Sequence, residues 1–241
     1  MESPLHQFEV NTLLPLQIGG LDLSFTNSSL LMVIAVVAIV TLFILALRNP
    51  QPVPGKMQSL MELSYEFIAN LLEENTGTKG KQYLPFIWSL FLFVLFGNLL
   101  GLIPYSFTFT SQLVVTFGLA LLVFFVIIII GFSKHGLKFF KLFLPEGAPL
   151  IMAPLLLPIE LISFLSRPVS LSVRLFANMM AGHTMLKVFA FFTISLGLFG
   201  FSTILLNSIL IGFEFLVAFL QAYVFTVLTC LYLNDAIHLH S

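Results

Sequence analysis

Of 241 residues, 59% are hydrophobic and only 9% charged, with ten Lys and Arg against eleven Asp and Glu. A soluble domain of this length cannot cover its surface with so few charges, so the composition points to an integral membrane protein built as one helical bundle. The near-zero net charge argues against a nucleic-acid partner, and the single cysteine, Cys230, rules out an internal disulfide and reads as a small core residue.

Residues 1–29 are polar and irregular, broken by Pro4, Pro15 and the Gly19-Gly20 pair, and lack the basic start and apolar core of a secretory signal. The first span is expected over 30–47, an uninterrupted apolar run at the lower end of spanning length, stopped by Arg48 and the Pro50, Pro52, Pro54, Gly55 cluster. From 56 to 75 the pattern turns amphipathic. Met57, Leu60, Met61, Leu63, Phe67, Ile68, Leu71 and Leu72 fall largely on one face and Gln58, Glu62, Glu66, Asn70 and Glu73 on the other, which suits a helix on the membrane surface or against a partner, or an ordinary amphipathic connector. The second span is expected over 86–103, with Trp88 and Tyr105 as interface anchors and Asn98, between Gly97 and Gly101, at a close-packed helix contact. The third is expected over 113–132.

Beyond a proline-rich approach (Pro145, Pro149, Pro154, Pro158) lie two long helices, predicted over 150–192 and 201–233. Both exceed the ~20 residues of a perpendicular span, so the pair reads as a tilted antiparallel hairpin. Pro168 removes a backbone bond and is expected to bend the first of them, and Gly182, Gly197 and Gly200 loosen the chain into the turn. The fold class is therefore an all-α integral membrane protein: three roughly perpendicular spans, an amphipathic surface helix, and two long tilted antiparallel helices that carry the polar residues. Arg48, Lys56, Lys79, Lys81, Lys134, Lys138 and Lys141 follow the first and third spans, whereas residues 1–29 and 104–112 hold no Lys or Arg. The positive-inside rule then puts the N-terminus outside and the C-terminus inside.

The chemistry lies in the hairpin. Glu160, Ser163, Arg167, Ser170, Arg174 and Asn178 step by three or four and form one polar stripe. An Arg within a bilayer costs at least ~2.5 kcal/mol, so a helix that holds two of them points to an ion pathway. On the second long helix Asn207, Glu214, Gln221 and Asp235 recur at multiples of seven, which keeps them on nearly one face. In a straight antiparallel register Glu160 meets Asp235, Arg174 meets Gln221, and His183 falls beside Glu214, with Arg167 and Lys187 left unpaired. His183 points away from Arg174 on its own helix, so the two serve different surfaces. Glu, Asp and His can take up and release protons once neighbours and burial tune them, while Arg stays charged, with a pKa above ~12. The pattern describes two polar access routes on opposite sides of the membrane, separated by a fixed positive charge.

The run RPVSLSVRLFANMMAGH and the ending EFLVAFLQAYVFTVLTCLYLNDAIHLH resemble the a subunit of rotary F-type ATP synthase (subunit 6 in mitochondria), and the likeness extends over HQFEV and GNLLGLIPYSF to nearly the whole chain. The resemblance implies that Arg174 is the stator arginine facing a rotor ring of c subunits, with Gln221 and Asn178 as its rotor-facing neighbours. It implies an outer half-channel with His183, Glu214 and Asn207, and an inner one with Glu160 and Asp235. A His-then-Glu order is typical of mitochondria, which implies a mitochondrial inner membrane, or alternatively a bacterial plasma membrane. The implied partners are the c-ring, b-type peripheral-stalk and other Fo subunits, and lipid. No catalytic site, cofactor, metal or nucleotide belongs to this chain by that reading, and it contains no GxxxxGK[ST] phosphate loop. His238 and His240 read as solvated tail residues.

Other readings are weaker on the residues themselves. A secondary proton-coupled transporter is expected to show an internal repeat, a haem-bearing quinone oxidoreductase needs facing membrane histidines, and a purely structural subunit would not bury Arg174.

Overall fold

The computed structural model describes residues 10–15, 17–18, 21–22, 24–48, 50–103, 107–136, 138–139, 153–195 and 200–238. Tyr105, Pro145, Pro149, Gly197 and His240, assigned roles from the sequence, lie outside the described residues.

The polar N-terminal stretch contains short strand pairings rather than irregular chain alone. Strands β1 (Thr12–Leu14) and β4 (Phe25–Thr26) pair antiparallel, with β2 (Gln17–Ile18) and β3 (Leu21–Asp22) paired within them. Helix α1 (Asn27–Leu47) follows at once, its first turn capped by the Thr26 side chain, which accepts the Ser29 N–H at 3.3 Å. Its side chains are apolar on nearly every side and, apart from the buried Ser28, Ala35 and Ala46, are exposed or half-buried, as expected of a helix that faces lipid tails.

Helix α2 (Lys56–Thr76) buries Met61, Ile68, Leu71 and Leu72 and exposes Glu62, Glu66 and Glu73. The covering surface belongs to this chain: Ile68, Leu71 and Leu72 join the buried cluster of the bundle, and α2 packs against the last helix. Gly77 ends α2 at φ 64°, the left-handed region that glycine enters without a Cβ penalty, and its N–H closes on Glu73 O. A 3-10 turn (Gly77–Tyr83) leads into α3 (Leu84–Gly101), with Pro85 in the first turn, where its missing N–H is harmless.

Helix α3 lies at the centre of the bundle, with Ile87, Phe91, Val94 and Asn98 all buried. Trp88, near the start of α3, ties the helix to α1 and α2. Its indole N–H donates to Ser64 Oγ at 3.2 Å, and its ring meets Phe43 and Tyr65 edge-on at 4.8 and 5.2 Å. The next described segment, a 3-10 turn at Phe109–Ser111, folds against α3 so closely that a Cβ on Gly97 would collide with the Phe109 ring. Then come α4 (Leu113–His135), α5 (Ala153–Ser195) and α6 (Gly200–Ile237), the last two 43 and 38 residues long. Helix α5 runs without interruption through Pro158 and Pro168. Among the described residues five segments are long and apolar enough to cross a membrane, with α2 and α3 joined in one of them.

Candidate functional site

Helices α5 and α6 pack through Leu171, Leu175 and Met179 on one side and Ala218, Ala222 and Phe225 on the other, all in the common buried cluster. Small residues let helix backbones approach in lipid, and the two alanines place the polar rungs of α6 within reach of α5. Helix α3 ties itself to the same stretch, since Asn98 Nδ2 donates to the Ala218 carbonyl at 3.1 Å.

Among the described residues four polar contacts join the hairpin. Nearest the turn, the Thr203 hydroxyl donates to Thr193 Oγ1 at 2.8 Å. Next along, His183 Nδ1 stands 3.4 Å from Glu214 Oε1, with the two side chains 10% and 5% exposed. The approach is of ion-pair length without hydrogen-bond geometry, and neither Glu214 oxygen has a hydrogen-bond partner among the described residues. Gly182 leaves the room that the carboxylate occupies: a Cβ there would lie 2.8 Å from Glu214 Oε1. The other imidazole nitrogen, Nε2, lies 3.0 Å from Thr108 Oγ1. Asn207, two turns nearer the hairpin turn, has a buried Oδ1 without a hydrogen-bond partner among the described residues.

In the middle, Asn178 Nδ2 donates to Gln221 Oε1 at 2.9 Å. Arg174, one turn before Asn178, is exposed and makes no hydrogen bond or ion pair among the described residues. Ser170, Ala177 and Ala181 continue the same exposed side of α5. An unneutralised guanidinium on the apolar surface of a membrane-length helix calls for an anionic or strongly polar partner.

At the far end Arg167 Nη1 donates to Asp235 Oδ2 at 2.8 Å, and its guanidinium lies over the rings of Phe164 (5.3 Å) and Tyr232 (4.9 Å). Glu160 is half-buried, with no hydrogen bond or ion pair among the described residues. Thus His183 and Glu214 meet as the straight register expects, whereas Glu160 does not meet Asp235 and Arg174 does not bond Gln221. Fourteen residues separate Asp235 from Gln221 on α6 but only eleven separate Arg167 from Asn178 on α5. At ~1.5 Å of rise per residue that leaves ~4.5 Å, which the long arginine spans by lying over its two aromatic neighbours. His238 is half-buried, its Nδ1 2.8 Å from Asn234 Oδ1, so it is no freely solvated tail residue.

Removing one partner of the Arg167–Asp235 pair strands a partly buried charge. Arg167→Ala is expected to lower thermal stability in detergent by roughly 1–3 kcal/mol, with the Arg167→Ala/Asp235→Ala double variant losing less than the sum of the singles. Strict additivity would show the two side chains to be uncoupled.

The fold and this hairpin define an all-α multi-pass membrane protein that holds ionisable groups inside membrane-length helices. Comparison with known proteins narrows the class: the ATP synthase A chain family profile matches residues 29–234. The chain is 56% identical to ATP synthase subunit a of Chelativorans sp. (strain BNC1), covering 98% of this chain and 97% of that one. It is 53% identical to ATP synthase subunit a of Rhodospirillum rubrum over the full length of both. This chain belongs to the ATP synthase A chain family.

Proposed function

We propose that this chain is the proton-conducting stator of the membrane sector, coupling proton flow to the turning of a ring of c subunits. The observation that carries the reading is the contrast between Arg174, exposed and without a partner among the described residues, and the His183–Glu214 pair, buried between α5 and α6. A rotor carboxylate arriving at Arg174 is held ionised by the fixed charge. Protonated past His183, Glu214 and Asn207, it loses that charge and can turn into lipid. After nearly a full turn it releases its proton on the inner side. Glu160 is the more available acceptor there, because Asp235 is already paired with Arg167. Gln221 and Asn178, bonded to each other, fix the polar edge of the rotor-facing side beside Arg174. Each charge that crosses gains ~2.3 kcal/mol per 100 mV, so one ATP requires several crossings.

At ~1.5 Å per residue, α5 and α6 are far longer than the ~30 Å hydrocarbon core and lie tilted along the rotor, with b-type stalk and other Fo subunits and lipid around the remaining faces. The basic residues at the ends of α1 and α4 and in the loops that follow them support an N-terminus outside and a C-terminus inside. The bacterial relatives favour a plasma membrane over the mitochondrial inner membrane. Cysteines placed at Ala177 and Ala181, on the exposed side with Arg174, are expected to cross-link to cysteines on the c-subunit helix and to stop ATP-driven rotation. Cross-linking only from α1 or α4 would place the rotor elsewhere.

A further inference from the structure

Thr108 reaches His183 from the segment that follows α3, and its own surroundings restrict what it can do. Its Oγ1 lies 3.0 Å from His183 Nε2 and 3.4 Å from the Gly101 carbonyl, and the residue is only 3% exposed. Its backbone is pinned as well, since the Thr108 carbonyl accepts both the Ser111 hydroxyl at 2.6 Å and the Ser111 N–H at 3.1 Å. Glycine at 101 is required for this approach, because a Cβ there would stand 2.6 Å from Thr108 Oγ1.

A threonine hydroxyl has one proton, and a carbonyl can only accept. Both contacts are made at once in a single arrangement: Nε2–H donates to Oγ1, and Oγ1–H donates to the Gly101 carbonyl. We infer that Thr108 is a positioning residue for proton transfer, fixing neutral His183 as its Nε2–H tautomer so that the Nδ1 lone pair faces Glu214. This rests on the outer half-channel reading given above. The chain of donors ends on a carbonyl, so no proton leaves through Nε2. Transfer is confined to the other face: a Glu214 O–H bond breaks as Nδ1–H forms, giving carboxylate and imidazolium, and the reverse step returns the proton to the carboxylate. Glu214 on α6 and Lys187, one turn further along α5, are the charged groups that face the imidazole. The described residues of α3 and of 107–112 bring none, and Lys134 and His135 lie at the opposite end of α4.

The test uses the complete complex in vesicles, with inner pH and membrane potential held constant and outer pH varied. In Thr108→Val the imidazolium loses the acceptor for Nε2–H, so protonation becomes harder. The outer proton concentration giving half-maximal ATP synthesis is expected to rise about three- to tenfold. Thr108→Ser, which keeps the hydroxyl, is expected to restore the wild-type midpoint. An unchanged midpoint in Thr108→Val, or an equal loss of rate at every pH, overturns the assignment. Solid-state 15N spectra of histidine-labelled wild-type complex give a second reading that does not depend on variant assembly: His183 as the Nε2–H tautomer supports it, and Nδ1–H overturns it. His183→Ala run in parallel separates the two layers. Undiminished synthesis there removes the half-channel reading along with this one, whereas loss there with an unshifted Thr108→Val removes this one alone.

Discussion

Replacing Glu214 by Gln is expected to reduce ATP synthesis under an imposed proton gradient by about a hundredfold or more, while the complex still assembles. Gln has the size of Glu and leaves the space beside Gly182 filled, so packing between α5 and α6 is kept. It cannot exchange a proton with His183 Nδ1, which is the chemistry the 3.4 Å approach makes available. Because neither carboxylate oxygen has a hydrogen-bond partner among the described residues, the substitution breaks no bond there that would unfold the site. The measurement is ATP formed per second in vesicles with wild-type amounts of assembled complex. Near-wild-type synthesis would remove Glu214 from the proton path.

Arg174→Gln is expected to bring synthesis to background, the larger effect of the two. The guanidinium is charged at every working pH, lies on the exposed side of α5, and has no hydrogen-bond or ion-pair partner among the described residues. Gln keeps polarity and much of the length but cannot hold a passing carboxylate ionised, so protons cease to be released on the side opposite to uptake. Arg174→Lys is expected to fall between the two, since a Lys in an apolar setting can neutralise and would separate the paths poorly. Retained synthesis in Arg174→Gln would mean that fixed charge at this position is dispensable.

The sequence and the structure agree most closely where one strong physical signal acts alone. The apolar runs around Leu30–Leu47 and Leu113–Phe132 fall within α1 and α4 because lipid leaves the backbone no alternative but to bond within its own segment. The sevenfold ladder of Asn207, Glu214, Gln221 and Asp235 turns away from the exposed side of α6, since one helical period governs all four residues. Agreement is poorer where side-chain reach decides. Straight rods put Glu160 opposite Asp235, but Arg167 reaches that carboxylate first and is held there by Phe164 and Tyr232. Thr108 was not legible, because it enters the site from a segment 75 residues away in sequence. The signal that could have found it is the hydroxyl cluster Thr108, Thr110, Ser111 placed after α3, on the side of the membrane where His183 was expected. The partners of Trp88 are hidden for a related reason: a lone Trp near a helix end carries no sign in the sequence of the Ser64 hydroxyl or the Phe43 and Tyr65 rings that it meets.

The proposed role of Arg174 as the barrier between two polar paths is tested most directly by passive proton flow. Vesicles carrying the intact complex without nucleotide would be given a membrane potential, and proton uptake followed with an internal pH dye for wild type, Arg174→Ala, and Arg174→Ala combined with Glu214→Gln. Slow uptake is expected in wild type, faster uptake in Arg174→Ala as the two paths join, and a return toward the wild-type rate in the double variant, where the outer path is closed. Uptake in Arg174→Ala that equals wild type, together with undiminished ATP synthesis, would contradict that role.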